Sequence, residues 1–256
     1  MKDFFTDVGG TPFILFGSLH MFISIITIIT AILVFAYRDK LKTFKWKENI
    51  RYILAAVLFT NMSVYYTSLI MLQTYDWKIN LPLHFCFITG YLLIYVLVTG
   101  NKKLYSVIYF FTFVGPLPAM IWPDLKFNYD RIVFWQFIIS HHFMLLSSLY
   151  VLTVLEYKIC KKDIVKAYLF GNVIIIVMAI FNGIFKTNYI MMGELPAQIY
   201  RIYPFVKYMP PIFWLELVAL GAIAIAYVPA YLINRSESIK EKLNHILSDD
   251  DEFKYV

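Results

Sequence analysis

Residues 12–37 read PFILFGSLHMFISIITIITAILVFAY, a continuous apolar run with no charged side chain. An α-helix needs about 20 predominantly apolar residues to cross the hydrocarbon core of a bilayer. This run is long enough, and it is too long for the alternating strands of a membrane barrel. The residues before it, 1–11, lack the basic start of a secretory signal, and no small-residue cleavage site follows the run. We therefore expect it to be retained as a first transmembrane helix.

Six further stretches of the same kind follow along the chain. With the first, they cover residues 12–37, 52–73, 81–99, 104–122, 132–155, 167–185 and 211–233. Of all residues, 60% are apolar and 16% charged, against roughly 45–50% and about 25% in an average soluble domain. That composition excludes an ordinary soluble enzyme, a disordered chain and a disulfide scaffold. The sequence predicts an all-α polytopic membrane protein, with a seven-transmembrane-helix bundle at 1–233 and a short charged cytoplasmic tail at 234–256.

The distribution of Lys and Arg predicts how the bundle is oriented. The connections on one side of the predicted spans, together with the tail, hold sixteen of the 23 basic residues, and the other side holds seven. Because cytoplasmic loops carry the excess of positive charge, the amino terminus is predicted outside and the carboxyl terminus in the cytoplasm. The net charge of +6 is then a topology signal with some attraction to anionic lipid, and it does not indicate nucleic-acid binding.

Histidine and cysteine side chains gather in the outer half of the predicted bundle. His20 and His141 lie about nine and ten residues into the first and fifth spans, which is roughly 13–15 Å deep at 1.5 Å per residue. His84 and Cys86 open the third span, with Cys86 about 8 Å deep. Polar residues are costly in hydrocarbon, so they are functional candidates by default. Their shared depth indicates a single site.

A cysteine beside a histidine is the pair that acyl chemistry needs, since imidazole takes the thiol proton and the thiolate attacks a carbonyl carbon. The alternative is that Cys86 is a small buried hydrophobe and that the histidines hydrogen-bond across helices. Zinc is a further alternative, because imidazole and thiolate are its ligands. His84 and Cys86 point about 200° apart on a regular helix, however. We therefore expect no metal and no other cofactor.

A predicted helix break and a long outer connection lie near the same depth. The Gly-Pro-Leu-Pro sequence at 115–118 predicts a break at the outer end of the fourth span. The connection at 186–210 is long enough to cover a site. We expect Arg201 and Lys207 from this connection, and Glu216 from the seventh span, to bind substrate. The alternative is interfacial cations, an aromatic belt and an ion pair of Glu216 at headgroup level.

Three short motifs carry a resemblance to a known family. They are LPLHFC at 81–86, ISH at 139–141 and TNYIM at 187–191, with WPD at 122–124 between the first two. In order and spacing they resemble the transmembrane protein 164 family, including its bacterial YwaF-type members, over essentially the whole chain. The resemblance implies a membrane-embedded acyltransferase that moves a fatty acyl chain between glycerophospholipids, in the plasma membrane for a bacterial member.

The resemblance also assigns roles to particular residues. Carried over by motif, Cys86 is the nucleophile that accepts the acyl group, and His141 is the general base. The supporting residues are His84, Tyr189, His20 and Asn188. Of these, we expect His20 or Asn188 to orient the base or to stabilise the oxyanion. Lys186 stands where a small residue is expected in many relatives.

The partners implied are membrane phospholipids and lysophospholipids, and the oligomeric state stays open. If water reaches the thioester, the same cysteine and histidine make a lipid hydrolase. If the histidines bind a ligand instead, the protein is an outward-facing transporter or binding protein for a small molecule or lipid. Seven spans with an outside amino terminus also invite comparison with receptors. The sequence has no extracellular cysteine pair and no Asp-Arg-Tyr-like motif at a cytoplasmic helix end to favour that reading.

Overall fold

The computed structural model describes residues 2–6 and 9–252, with side chains described for 3–6, 9–236 and 238–239. Over these residues the regular structure is helical, apart from one isolated β-bridge between Pro12 and Phe127. The α-helices are α1 (Ser18–Ala36), α2 (Arg38–Lys42), α3 (Lys47–Met71), α4 (Trp77–Asn80), α5 (Phe85–Thr99), α6 (Lys102–Val114), α7 (Pro116–Ile121), α8 (Ile132–Thr153), α9 (Lys161–Phe185), α10 (Ala197–Ile202) and α11 (Pro211–Glu252). Three short 3-10 helices cover Lys2–Phe5, Tyr189–Met191 and Pro204–Tyr208.

Six helical stretches are long and apolar enough to cross a membrane, which confirms the prediction of an all-α, multi-pass protein. They are α1, α3, α6 with α7, α8, α9 and the part of α11 up to Ser236. The remaining predicted span forms the 15-residue helix α5, about 22 Å long and shorter than the hydrocarbon core of about 30 Å. The end of the bundle that the charge bias predicts to face outward is called the outer end below.

Helix α8 lies at the centre of the bundle and packs against α1, α3, α5, α6 and α7. Its buried residues lie on nearly every side of the helix. The peripheral helix α1 does the opposite, because Ile25, Ile28 and Ile32 are each about half exposed. Rows of exposed isoleucine are unfavourable in water and suit contact with lipid. The polar residues of α8 are thereby kept inside the bundle.

Buried tyrosines fix the central helices against one another. The hydroxyl of Tyr105 on α6 donates to the carbonyl of Ser148 on α8 at 2.7 Å. The hydroxyl of Tyr109 donates to the carbonyl of Ala226 on α11 at 2.6 Å. A buried phenol with a partner keeps its packing without an unmet hydrogen bond. These two bonds therefore set the axial positions of α8 and α11 relative to α6.

The segment before α1 is bound to the connection that precedes α8. The N–H of Phe13 donates to the carbonyl of Lys126 at 3.0 Å, and the N–H of Thr11 donates to a carboxylate oxygen of Asp130 at 2.8 Å. The Thr11 N–H, with Arg131 beside the same carboxylate, holds the pKa of Asp130 below its usual value. These contacts fix the start of α8 at the outer end.

The predicted break in the fourth span is confirmed. Helix α6 ends at Val114, and α7 begins at Pro116 after Gly115. Proline has no N–H for the helical ladder, but it is tolerated in the first turn of a new helix. The break brings Gly115 against the start of α5.

The last helix continues beyond the predicted membrane segment. Helix α11 runs from Pro211 to Glu252, so residues 234–252 of the predicted tail extend the seventh span as helix. Residues 253–256 lie outside the described part of the chain.

We expect Lys186→Gly to raise the free energy of unfolding by about 0.5–1 kcal/mol. Lys186 caps α9 in the left-handed region, at φ 55° and ψ 49°, and its side chain is exposed. Glycine adopts this conformation without strain, which also explains why a small residue is expected in relatives. Thermal unfolding in detergent measures the effect. Lys186→Ala is the control, since alanine keeps the β-carbon, and an equal gain from both variants contradicts the explanation.

Candidate active site

Tyr189 holds the turn that leads into α5. It is fully buried, and its hydroxyl donates to the carbonyl of Trp77 and accepts the N–H of Leu81 at 3.0 Å. This bond takes up the Leu81 N–H, and His84 follows as an extended N-cap with φ −67° and ψ 145°. The helix begins at Phe85 and not, as the sequence predicted, at residue 81, because Leu81 precedes a proline and keeps an extended ψ of 145°.

Tyr189 is itself held by Asn182 on α9, a residue that the sequence analysis did not single out. The Asn182 amide donates to the Tyr189 carbonyl at 2.8 Å and accepts its N–H at 2.9 Å. The hydroxyl of Thr187 donates to the same amide oxygen at 2.7 Å. Ile190 and Met191 then adopt positive φ angles of 61° and 59°, which are costly for residues with a β-carbon. Burial raises the pKa of Tyr189, so its hydroxyl stays a donor.

The first and third motifs of the family resemblance meet at His84. The edge of its ring packs on Tyr189 with 5.1 Å between ring centroids. Because His84 lies outside the regular helix, the expected divergence of 200° between His84 and Cys86 does not apply to this backbone.

Cys86 lies in the first turn of α5, beside the break in the fourth span. A β-carbon placed on Gly115 would lie 3.2 Å from the Cys86 Sγ, so the glycine allows this close approach. The thiol is free, and the residue keeps part of its surface accessible.

His141 is buried in the middle of α8, with 5% of its surface exposed. Its Nδ1 lies 2.6 Å from the carbonyl oxygen of Phe137, and its ring packs on the Phe137 ring at 4.1 Å between centroids. Since a carbonyl only accepts, Nδ1 carries the proton and Nε2 of the neutral ring holds a lone pair. This Nε2 has no hydrogen-bond partner among the described residues. The imidazole is thus oriented as a base with its accepting nitrogen free.

The packing of α5 on α8 puts Cys86 and His141 each about one turn from a contact between the two helices. A β-carbon on Gly90 would meet the methyl group of Met62 on α3 first and would lie 3.6 Å from the sulfur of Met144 on α8, so Gly90 lies where α5 packs against both helices. Cys86 precedes Gly90 by about one turn, and His141 precedes Met144 by about one turn. Both helices run inward from the outer end in the predicted topology, so both residues lie one turn outward of that contact.

The hydrogen bond between the Cys86 Sγ and the His141 Nε2 is not formed in this structure, because Nε2 lacks a partner in the part of the chain described. Catalytic hydrogen bonds are often long before substrate binds and shorten in the complex. What the structure supplies is a free base and a free thiol on facing helices.

The other outer-half histidines have structural contacts. The N–H of Phe16 donates to Nδ1 of His20 at 3.0 Å, and the opposite nitrogen donates to the carbonyl of Met120 at 2.9 Å. The Nε2 bond holds α1 on α7, and the Nδ1 bond closes the turn before α1. Both nitrogens of His20 are therefore occupied, and His20 does not orient His141 in this structure. His142 pairs with Thr27 on α1 at 3.0 Å. Within the described residues, no group of three His, Cys, Asp or Glu residues is placed to hold a metal.

Asn188 is also occupied within its own loop. Its amide donates to the carbonyl of Glu194 at 2.9 Å and accepts the N–H of Gly193 at 2.8 Å. Asn188 therefore does not orient His141 in this structure either. The carbonyl of Phe137, a backbone group, orients the base instead.

The connection at 186–210, called the cover below, packs over the outer end. Gln198 in α10 donates to the carbonyl of Trp122 at 3.3 Å and to that of Pro123 at 2.5 Å, so the cover binds the WPD motif. Leu195, Ile199 and Val206 of the cover form a separate apolar cluster with Trp214 of α11. The predicted substrate ligands Arg201 and Lys207 are exposed on the cover, and Glu216 is half-buried on α11.

We expect Tyr189→Phe to lower the free energy of unfolding by about 1–3 kcal/mol, because it leaves the Leu81 N–H and the Trp77 carbonyl without their partner. Thermal unfolding in detergent measures the loss. Tyr208→Phe is the control, since Tyr208 is 92% exposed. Equal melting temperatures for wild type and Tyr189→Phe contradict the proposed anchoring.

Comparison with known proteins gives one match. The sequence model of the TMEM164 family matches residues 15–228. No curated protein and no solved structure matches the chain.

Proposed function

The chain belongs to the TMEM164 family, and from this premise we propose that it transfers a fatty acyl chain between glycerophospholipids through a thioester on Cys86. The observation that carries the proposal is His141, whose Nδ1 is held by a backbone carbonyl at 2.6 Å while its Nε2 lone pair is free. A buried neutral imidazole in this state can accept a proton at Nε2, and no donor among the described residues is bonded to it. Cys86, on the facing helix, supplies that proton.

The transfer proceeds in two matched halves. In the first, His141 Nε2 takes the thiol proton, and the thiolate attacks the ester carbonyl carbon of a phospholipid. The carbon–oxygen bond then breaks, and the lysolipid oxygen takes the proton back from His141. In the second, the hydroxyl of an acceptor lysolipid gives its proton to His141 and attacks the thioester. The carbon–sulfur bond breaks, and the proton returns to the Cys86 sulfur.

The position of the site suits a lipid substrate. Cys86 is near the outer end of a multi-pass bundle, and the residue keeps part of its surface accessible, which suits the approach of a lipid ester from the bilayer. Arg201 and Lys207 are exposed on the cover, where their charges attract the phosphate of a headgroup. Glu216 completes this polar rim from α11. We place the protein in the bacterial plasma membrane, with phospholipids and lysophospholipids as its partners.

A product assay tests the proposal and separates it from its alternatives. Purified protein in nanodiscs receives phosphatidylcholine with a labelled acyl chain and unlabelled lysophosphatidylethanolamine. Labelled phosphatidylethanolamine is the expected product. Labelled free fatty acid identifies a lipid hydrolase that uses the same site. Neither product, with lipid bound, contradicts the enzyme and favours a transporter or binding protein.

A further inference from the structure

Besides His141 Nε2, a second buried polar atom without a hydrogen-bond partner among the described residues lies on α5, one turn inward of Cys86. Thr89 is fully buried, and its hydroxyl has no hydrogen-bond partner among the residues described. Threonine within a helix ordinarily bonds back to the carbonyl four residues earlier. Thr99 on the same helix and Thr153 on α8 do so, at 2.8 and 2.7 Å. Leaving a buried hydroxyl unpaired is costly, so a group from outside the chain is expected to pair with it.

Thr89 belongs to the same helix contact as the proposed nucleophile and base. Thr89 directly precedes Gly90, whose β-carbon position is 3.6 Å from the Met144 sulfur. It follows Cys86 by three residues, farther from the outer end along α5. His141, with its free Nε2, lies one turn from Met144 on α8. Thr89 and His141 each carry a buried polar atom without a partner among the described residues, and both lie within about one turn of a contact between α5 and α8.

The hydrogen-bonding properties of these atoms define what fits between them. Nε2 of His141 accepts, and the thiol of Cys86 is the donor that satisfies it. The Thr89 hydroxyl then still needs an acceptor, and its side chain is fully buried. An ester carbonyl on a fatty acyl chain supplies that acceptor within an apolar body. Its oxygen becomes more negative as the thiolate attacks, so a hydroxyl donor binds the transition state more tightly than the ester.

We propose that Thr89 donates a hydrogen bond to the carbonyl oxygen of the scissile ester and stabilises the oxyanion that forms on it. This inference rests on the proposed function, and it adds the oxyanion donor that neither His20 nor Asn188 provides.

Three other buried hydroxyls lack partners in the described part of the chain, those of Tyr66 on α3 and of Ser147 and Ser148, and the two serines lie deeper on α8. Ser148 follows His141 by seven residues, which is about 10 Å inward. A carbonyl attacked by Cys86 is therefore out of its reach. Ser148→Ala is a matched control, because it removes an orphaned hydroxyl from the same bundle without touching the proposed carbonyl site.

The first experiment measures the rate at which Cys86 is acylated by phosphatidylcholine, using intact-protein mass. Thr89→Val, which keeps the shape and removes the hydroxyl, is expected to slow acylation by about 10²-fold. Thr89→Ser, which keeps the donor, stays within a few-fold of wild type, as does Ser148→Ala. Thr89→Val removes an unpaired buried hydroxyl, so its melting temperature is expected to equal or exceed that of wild type. Wild-type acylation in Thr89→Val overturns the inference.

The second experiment needs no turnover. In a Cys86→Ala background, diacyl phosphatidylcholine in detergent micelles is expected to raise the melting temperature more than its dialkyl ether analogue, which lacks the carbonyl. Adding Thr89→Val removes this preference for the ester, and adding Thr99→Val leaves it. If wild type is never acylated but the ester preference depends on Thr89, the proposed function fails and the carbonyl contact stands. If the preference is absent or independent of Thr89, the contact is refuted.

Discussion

Replacing Cys86 with serine is expected to reduce acyl transfer at least about 10³-fold, with the bundle still folded. Serine has nearly the same shape, so the contact with Gly115 survives. Its hydroxyl holds its proton far more tightly than a thiol does, so the neutral His141 does not produce the attacking anion. The labelled phosphatidylethanolamine formed per minute in nanodiscs measures the loss.

The second cysteine supplies the control for this prediction. Cys160 is exposed at the N-cap of α9, where its side chain and that of Asp163 form a capping box. Serine is a good N-cap residue, so Cys160→Ser keeps the cap and is expected to leave transfer unchanged. Equal activity of Cys86→Ser and wild type would remove the proposed nucleophile.

Replacing His141 with asparagine is expected to lower transfer by about 10²- to 10⁴-fold, the usual contribution of a general base. The shorter amide can still donate to the Phe137 carbonyl, as Nδ1 does at 2.6 Å, but nothing replaces Nε2. The adjacent His142 is the matched control, because it pairs with Thr27 and belongs to the α1 interface. His142→Asn is expected to keep transfer within a few-fold of wild type.

A double variant separates a shared mechanism from general damage. If Cys86 and His141 act in one step, the double variant of Cys86→Ser and His141→Asn is no slower than Cys86→Ser alone. Losses that multiply instead indicate that His141 contributes through folding or packing. Melting temperatures of the three variants decide between these outcomes.

The sequence predicted the membrane helices because their signal is local. Apolar runs predict helices whatever packs around them, and the Gly-Pro-Leu-Pro at 115–118 predicts a break because proline lacks an N–H. The turn before α5, in contrast, is anchored by a non-local contact. The bond from Leu81 to Tyr189 joins residues more than a hundred positions apart, and nothing near residue 81 indicates it.

The residues of the candidate site were likewise predictable only in part from the sequence. Depth counted along the helices put Cys86 and His141 in one layer, and each lies about one turn from a contact between α5 and α8. The groups that complete the site depend on how helices dock. Phe137 acts through its carbonyl, which carries no sequence signature, and Asn182 acts through the backbone of Tyr189. Only the structure identifies the Thr89 hydroxyl, because among the described residues it lacks the bond to a backbone carbonyl that the Thr99 hydroxyl makes.

The central claim is that an acyl group rests on the Cys86 sulfur during transfer. Intact-protein mass spectrometry after incubation with phosphatidylcholine in nanodiscs tests it most directly, comparing wild type, Cys86→Ser and Cys160→Ser. The account predicts an added acyl mass on wild type and Cys160→Ser that hydroxylamine removes and that Cys86→Ser lacks. Transfer products formed by wild type without this adduct, or an adduct that survives unchanged in Cys86→Ser, would contradict it.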